Sequence, residues 1–340
     1  MSDPSLTDTA DDRSPSLQPS FRARWARRPP PLEFWVGSVL LGTYLIVGLS
    51  AVVVFRNSLN VLATNPAWVP PFAPIGPSWA HPFGVMPGFG TDLFRAIWQA
   101  TPWDLAIVAG ILLIDVLLGL LLGATAGFYE GGVVDAVVTF VGDSLGSVPP
   151  YLLLIVLFVG LGSGAPGAVG LPAFVLLFGL ILWPTTARTV RERARILSHE
   201  GFVEASRASG ATPRRVLVRH IVPNSLGPVL AQLPIDVAPI FFVLSVLPWF
   251  ADCQDIYIPN PLMPPPPYIV PALPIGSPLP SASFPEWGFL LGFGTCEGLG
   301  FPVGPTYWWM YLFPLLAILG LGFAIALVCD GIERWRRLDR

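Results

Sequence analysis

The sequence predicts an all-α, polytopic membrane protein with six transmembrane helices and both termini in the cytoplasm. Three observations carry that reading. Of the 340 residues 53% are hydrophobic and the mean hydropathy is +0.64, well above a soluble globular chain. Apolar runs of about 20 residues, the length a helix needs to cross a bilayer core, recur along the chain. All 19 basic residues are arginine, and they gather in three segments that six crossings would place on one side.

Residues 1–31 precede the membrane domain, 32–340. The first part, MSDPSLTDTADDRSPSLQPS, is rich in Ser, Pro and Asp and reads as a disordered tail. FRARWARRPPP then places arginines and Trp25 where an interfacial anchor is expected. The first span, 34–55, is long enough to cross and is followed by no small-residue cleavage site, so it is read as a helix and not as a cleaved signal. Residues 57–103 form an external segment. The second span, 104–126, is continuously apolar around Asp115, which suits a helix and not an alternating barrel strand. Spans three and four are 138–161 and 168–187, and span five is 226–250. The second external segment, 251–305, contains PNPLMPPPPYIVPALPIGSPLP, too proline-rich for a helix or a central strand and so read as extended. Span six is 306–329.

Arginine placement orients these spans. Five arginines precede the first span, eight lie from Arg188 to Arg219, and four follow the sixth, leaving Arg56 and Arg95 elsewhere. The positive-inside rule makes the side bearing those three segments cytoplasmic. A net charge of −3 implies no nucleic-acid partner.

Between spans four and five, the cytoplasmic segment 188–225 holds the polar stretch EASRASGATPRRVLVRHIVPN, 204–224. It predicts two short helices. GFVEASRAS offers Ala205, Ser206, Ala208 and Ser209, small enough for close backbone approach, and Gly210 ends it. Thr212 suits an N-cap and Pro213 a first helical residue. Arg215 and Arg219 then stand one turn apart, Val216, Leu217 and Ile221 can pack, and Pro223 stops the helix before span five. The product is a compact knob braced between two membrane helices.

The inventory argues against an enzyme. His81, His199 and His220 and the cysteines Cys253, Cys296 and Cys329 are scattered without metal-ligand spacing. A phosphate-binding P-loop needs a lysine, and the chain has none, so no cofactor is assigned to it. Asp115, Asp143 and Asp236 lie in or near the membrane, where carboxylates either serve a pathway or are held by packing partners. They are also the motive for a rival reading, a proton-coupled secondary transporter.

The stretch 204–224 resembles the EAA loop of ABC importer permeases, through Glu204, Ala205, Ser206, Gly210 and the following IVP. More narrowly, the chain resembles the C-type permease subunit of the dipeptide/oligopeptide/nickel ABC importer family. Further matching pieces are HPFG (81–84), GFYEGGVVD (127–135), SVPPYLLL (147–154) after Asp143, WPTTARTVR (183–191), PEWG (285–288) and DGIERWRRLDR (330–340). The resemblance implies a type I importer fold in the plasma membrane, whose coupling helix docks on a separate ATPase. Glu204 would brace the loop, Gly210 would set its bend, and Ala211, Thr212, Pro213, Arg214 and Arg215 would meet the ATPase. It implies as partners a second, homologous permease subunit, two ATPases that use ATP and Mg, and an extracytoplasmic binding protein. Relatives carry dipeptides, oligopeptides, nickel complexes or oligosaccharides. The chain departs from the family pattern after HPFG, at Phe241 in place of a glutamate, in the expansion 248–285, and at Asp115.

Cys253 and Cys296 share the second external segment, where disulfides persist, whereas Cys329 lies at the cytoplasmic end of span six. A bridge between them would close a loop worth on the order of 4 kcal/mol in chain-entropy terms. Mass spectrometry of the unreduced, alkylated protein is expected to show the two linked peptides, and alkylated free thiols at both positions would exclude the bridge.

Overall fold

The computed structural model describes residues 29–55, 75–85, 92–154, 156, 171–251, 286–294 and 307–338. Among them the elements are helices, apart from two isolated bridges joining Ile75 to Val85 and Val85 to Asp92. In chain order they are α1 (Leu32–Val54), α2 (Leu93–Phe128), α3 (Val133–Gly146), α4 (Leu171–Ser198), α5 (Gly201–Ala208), α6 (Pro213–Val216), α7 (Leu226–Ala251), α8 (Trp287–Gly294) and α9 (Trp309–Leu338). A π turn, Leu217–Ile221, and a last helical turn, Val222–Asn224, continue α6. Five of these helices, α1, α2, α4, α7 and α9, are long and apolar enough to cross a membrane.

Several boundaries differ from the hydropathy reading. The helix of the third expected span starts earlier, at Val133, breaks at 147–149 and resumes over 150–154. Pro149 supplies no N–H and biases Val148 away from helical backbone, while Pro150 is suited to open a new turn. Residues 157–170, which hold the rest of that span, lie outside the described residues. Helix α2 begins at Leu93, well inside the expected external segment 57–103. There Asp92 caps it by accepting the Arg95 backbone N–H at 2.9 Å, and the helix runs on through Pro102. Likewise α4 passes through Pro184 and continues to Ser198, into the segment expected to be a loop.

Lipid offers little reward for apolar contact between helices, so close approach through small residues decides which helices pair. The longest pairing is α2 with α4. Along it lie Gly119, Gly123 and Gly127, one per turn on one face of α2. A Cβ at any of the three would overlap α4, at Thr186, at the Ala187 carbonyl and at the Arg191 carbonyl respectively. Gly37 and Gly331 do the same for the α1–α9 pair, meeting Leu327–Val328 and Phe34.

The core lies where α2, α4, α7, α8 and α9 converge, around the fully buried Ile107, Phe174, Phe178, Ile240, Trp287 and Phe289. Trp287 sits between Tyr44 and Phe241, at ring distances of 5.7 and 6.0 Å. Its indole N–H donates to the Ile97 carbonyl at 3.1 Å, and its backbone N–H to the Asp104 carboxylate at 3.0 Å. The neighbouring Glu286 accepts the Gly288 N–H at 2.7 Å. Residues 286–291 are thus mostly interior, although the sequence places them in an external segment. The rest of that segment, with Cys253 and Cys296, and the tail 1–28 lie outside the described residues.

Arg334 near the end of α9 pairs with Glu33 at the start of α1 at 2.6 Å, and Arg336 donates to the Pro223 carbonyl at 3.0 Å. The start of α1, the end of α9 and residues 213–224 therefore share one face of the bundle.

The glycine seam gives a direct test. Gly123→Ala, whose methyl would overlap Ala187 and Val190, is expected to cost about 1–3 kcal/mol through overpacking. Gly42→Ala in α1, where a Cβ meets nothing within 4 Å, is expected to be neutral or mildly stabilising. Thermal unfolding of both variants in detergent measures the difference.

Candidate functional site

The polar stretch between α4 and α7 folds as a two-helix knob. Helix α5 ends in a Schellman motif: the Ala211 N–H donates to the Ser206 carbonyl at 3.1 Å and the Gly210 N–H to the Arg207 carbonyl at 2.9 Å. That geometry requires the left-handed φ of 82° that Gly210 adopts. Thr212 then occupies the N-cap position with extended backbone, and its carbonyl accepts the Val216 N–H at 3.1 Å. Its side chain makes no capping bond, contrary to the role the sequence suggested, and Pro213 opens the helix by its own preset backbone.

Pro223 does not stop this helix but lies in its final turn. Without an N–H at position 223 the α ladder cannot continue, and the preceding turn widens into the π register, with the Val222 N–H on the Leu217 carbonyl. Asn224 and Ser225 side chains donate to the His220 and Ile221 carbonyls at 2.7 and 2.9 Å. The helix breaks at Ser225, just before α7.

Four apolar side chains root the knob. Val203, Val216, Leu217 and Ile221 are buried against Ala124 and Phe128 of α2, Val190, Ala194 and Leu197 of α4, and Val229 of α7. Arg207 lies over the Phe128 ring at 5.2 Å. The sequence reading missed Val203, whose signal is its spacing from the exposed positions on a short amphipathic helix. With these four pointing inward, Glu204, Ala205, Gly210, Thr212, Pro213, Arg214 and Arg215 are exposed, and Ser206 and Ala211 are half-buried. The small residues Ala205, Ala208 and Ser209 line the outer face and do not bring helices of this chain together. Among the described residues the Glu204 carboxylate has no hydrogen-bond or ion-pair partner. The outer face therefore presents small side chains with arginines beside them.

The end of α4 nearest the knob is braced by the turn after α2. Arg191 forks onto Asp135, with Nε to Oδ1 at 2.5 Å and Nη2 to Oδ2 at 3.0 Å, and Asp135 also accepts the Gly131 N–H at 3.0 Å. Arg195 pairs with Glu130 at 3.2 Å. Asp135 precedes the expected third span, and the Arg191 hydrogen bonds hold its carboxyl down at about 2, against the opposing effect of burial. Asp143, one of the carboxylates singled out from sequence, pairs with Arg188 at 2.8 Å, both side chains about 60% exposed. Asp143 borders an open groove of about 650 Å³ between α3 and α4, lined also by Thr139, Ser144, Ser147 and Arg191.

Asp115 and Asp236, flagged separately in the sequence, meet inside the bundle. Asp115 accepts the Thr186 hydroxyl at 3.0 Å and Asp236 the Gln232 amide at 2.9 Å, and the two carboxyls are neighbours.

Residues 116–257 match the family model described as "Binding-protein-dependent transport system inner membrane component". The chain is 28% identical over 257 residues to the oligopeptide transport system permease protein OppC of Bacillus subtilis, covering 76% of this chain and 71% of that one. It is 26% identical over 257 residues to the dipeptide transport system permease protein DppC of the same organism, covering 76% and 68%.

The Asp135–Arg191 fork predicts a pH dependence. A carboxyl whose pKa falls from 3.8 to about 2 on folding stabilises the fold above pH 3.8, and that contribution is lost as pH falls towards 2. Arg191→Gln is expected to destabilise the protein at neutral pH and to flatten the loss of stability across that acid window. Thermal midpoints of the two proteins against pH check this, and parallel curves would contradict it.

Proposed function

Because the chain belongs to the family of inner membrane components of binding-protein-dependent transport systems, a multi-pass membrane subunit of ABC importers, we propose that the exposed knob 201–224 is its coupling contact with a partner ATPase. One observation carries this reading: an exposed, polar outer face stands on an apolar root shared by α2, α4 and α7. Motion of the outer face has to move all three helices together, as a mechanical transmitter requires. In this role Glu204, Ala205 and Ser206 border the contact, Gly210 sets the bend, and residues 211–215 meet the ATPase. ATP and Mg are consumed by that partner.

The remaining assignments follow. The arginine-bearing face shared by α1, α9 and the knob is cytoplasmic, which with the broken third helix gives six crossings and cytoplasmic termini. The chain forms half of a solute pathway beside a second permease subunit and receives solute from an extracytoplasmic binding protein. An exposed ion pair cannot face hydrocarbon, so the groove lined by Asp143, whose carboxylate pairs with the exposed Arg188, suits the cytoplasmic half of that pathway. The relatives' names point to peptides as the solute class. A proton-driven carrier would leave the exposed knob without a task.

Crosslinking tests the contact. Thr212→Cys in the assembled transporter is expected to crosslink to the ATPase, and absence of any such product in an intact complex would overturn the assignment. Gly210→Pro and Glu204→Lys are expected to lower uptake by an order of magnitude or more at unchanged membrane levels. Ser147→Cys, in a background with the three native cysteines replaced, is expected to react with a charged thiol reagent from the cytoplasmic side, and Val39→Cys on the outer surface of α1 is not.

A further inference from the structure

The buried carboxylates Asp115 of α2 and Asp236 of α7 have no part in the coupling contact. Their residues are 0% and 3% exposed. Each uses one oxygen for a neutral donor: Asp115 Oδ2 accepts from Thr186 of α4, and Asp236 Oδ1 accepts from Gln232 of α7. The other two, Asp115 Oδ1 and Asp236 Oδ2, are buried with no hydrogen-bond partner among the described residues. Yet the two carboxyls are neighbours. Among the described residues the groups that act on the pair are Thr186, Gln232 and the carboxyls themselves, with no arginine or histidine among them.

Two carboxylates in contact within an apolar bundle strongly disfavour being ionised together, because low-dielectric surroundings screen their repulsion little. An unpaired buried oxygen costs free energy as well. One proton removes both penalties: it turns one orphan oxygen into a donor and leaves the other to accept. We propose that Asp115 and Asp236 form a proton-binding site in which a single shared proton bridges Asp115 Oδ1 and Asp236 Oδ2 and fastens α2 to α7 beside α4. The bond is a charge-assisted O–H···O⁻ contact, among the stronger kinds of hydrogen bond. Asp115 lies one turn before Gly119 on the face that packs on α4, so the site sits at the membrane end of the glycine seam. Losing the proton would set two negative charges against each other at the junction of the three helices that root the knob.

Infrared difference spectroscopy of the purified protein in lipid near pH 7 tests this without reference to transport. The wild-type protein is expected to show a protonated-carboxyl carbonyl band that Asp115→Asn removes and Asp236→Asn also removes. The double variant is expected to remove no more than either single one, because only one proton is present. Either asparagine can donate its amide to the remaining carboxylate, so each single variant is expected to keep its thermal midpoint near wild type, and Asp115→Val to lower it. Band losses that add in the double variant would mean two independent neutral acids and overturn the proposal. A spectrum unchanged by both single substitutions would overturn it too, since both carboxyls would then be ionised. Should one asparagine variant fail to fold, the other and the wild-type band decide.

Discussion

The glycine seam between α2 and α4 is the constraint on which the other features depend. Hydrocarbon does not drive apolar helix faces together, so the contact must come from backbone proximity and from polar groups satisfied across it. Gly119, Gly123 and Gly127 let α4 lie nearly against the α2 backbone from Thr186 to Arg191. That proximity brings the Thr186 hydroxyl to Asp115 and sets Arg191 within reach of Asp135 just beyond the end of α2. It also forms the floor of Ala124, Phe128, Val190 and Ala194 into which the knob inserts. A wider seam would separate all three.

Polar groups then fasten what the seam aligns. Asp104 accepts the first N–H of α8, so a short apolar helix is held with its indole anchor inside the bundle. Tyr44 donates to the Ala317 carbonyl at 2.9 Å across the α1–α9 pair. His81 meets Asp92 at 2.8 Å, and the same Asp92 caps α2, so the HPFG turn is tied to the start of the longest helix. Phe83 of that turn stacks on Phe313 of α9 at 4.0 Å. The Asp104, Trp287 and Tyr44 bonds join elements distant in sequence through one well-placed donor each, an economical way to specify packing where apolar surface alone discriminates poorly.

Much of this was legible in one dimension. The long apolar runs located five helices. The arginines of the knob and of the end of α9 lie on the face where α1 starts, while the N-terminal cluster lies outside the described residues. Within the knob, Gly210 and Pro213 marked the turn correctly, because each acts through its own backbone preference. The failures have physical causes too. Averaging hydropathy cannot see the Asp92 cap, so it starts α2 too late. Pro223 was read as a stop although it lies within the last helical turn, and Pro102, next to the expected start of span two, lies inside α2. Trp287 and Glu286 looked external because a proline-rich run precedes them, and only the Asp104 carboxylate, far off in sequence, draws α8 inside. The pairing of Asp115 with Asp236 depends on helix packing, which no local pattern encodes.

The knob's construction bears on how it can transmit force. It is joined to α4 at one end, and at the other a break at Ser225 separates it from α7. Such junctions would let a free loop swing. Here the Schellman bonds fix the angle between α5 and α6, and the buried Val203, Val216, Leu217 and Ile221 fix the pair against the bundle. The π turn lies beside these buried side chains, and Arg336 of α9 reaches the Pro223 carbonyl on the exposed side. The π turn and the break at Ser225 are thus flanked by contacts on both faces, an arrangement that, in the proposed coupling role, would carry displacement of residues 204–215 into helix positions.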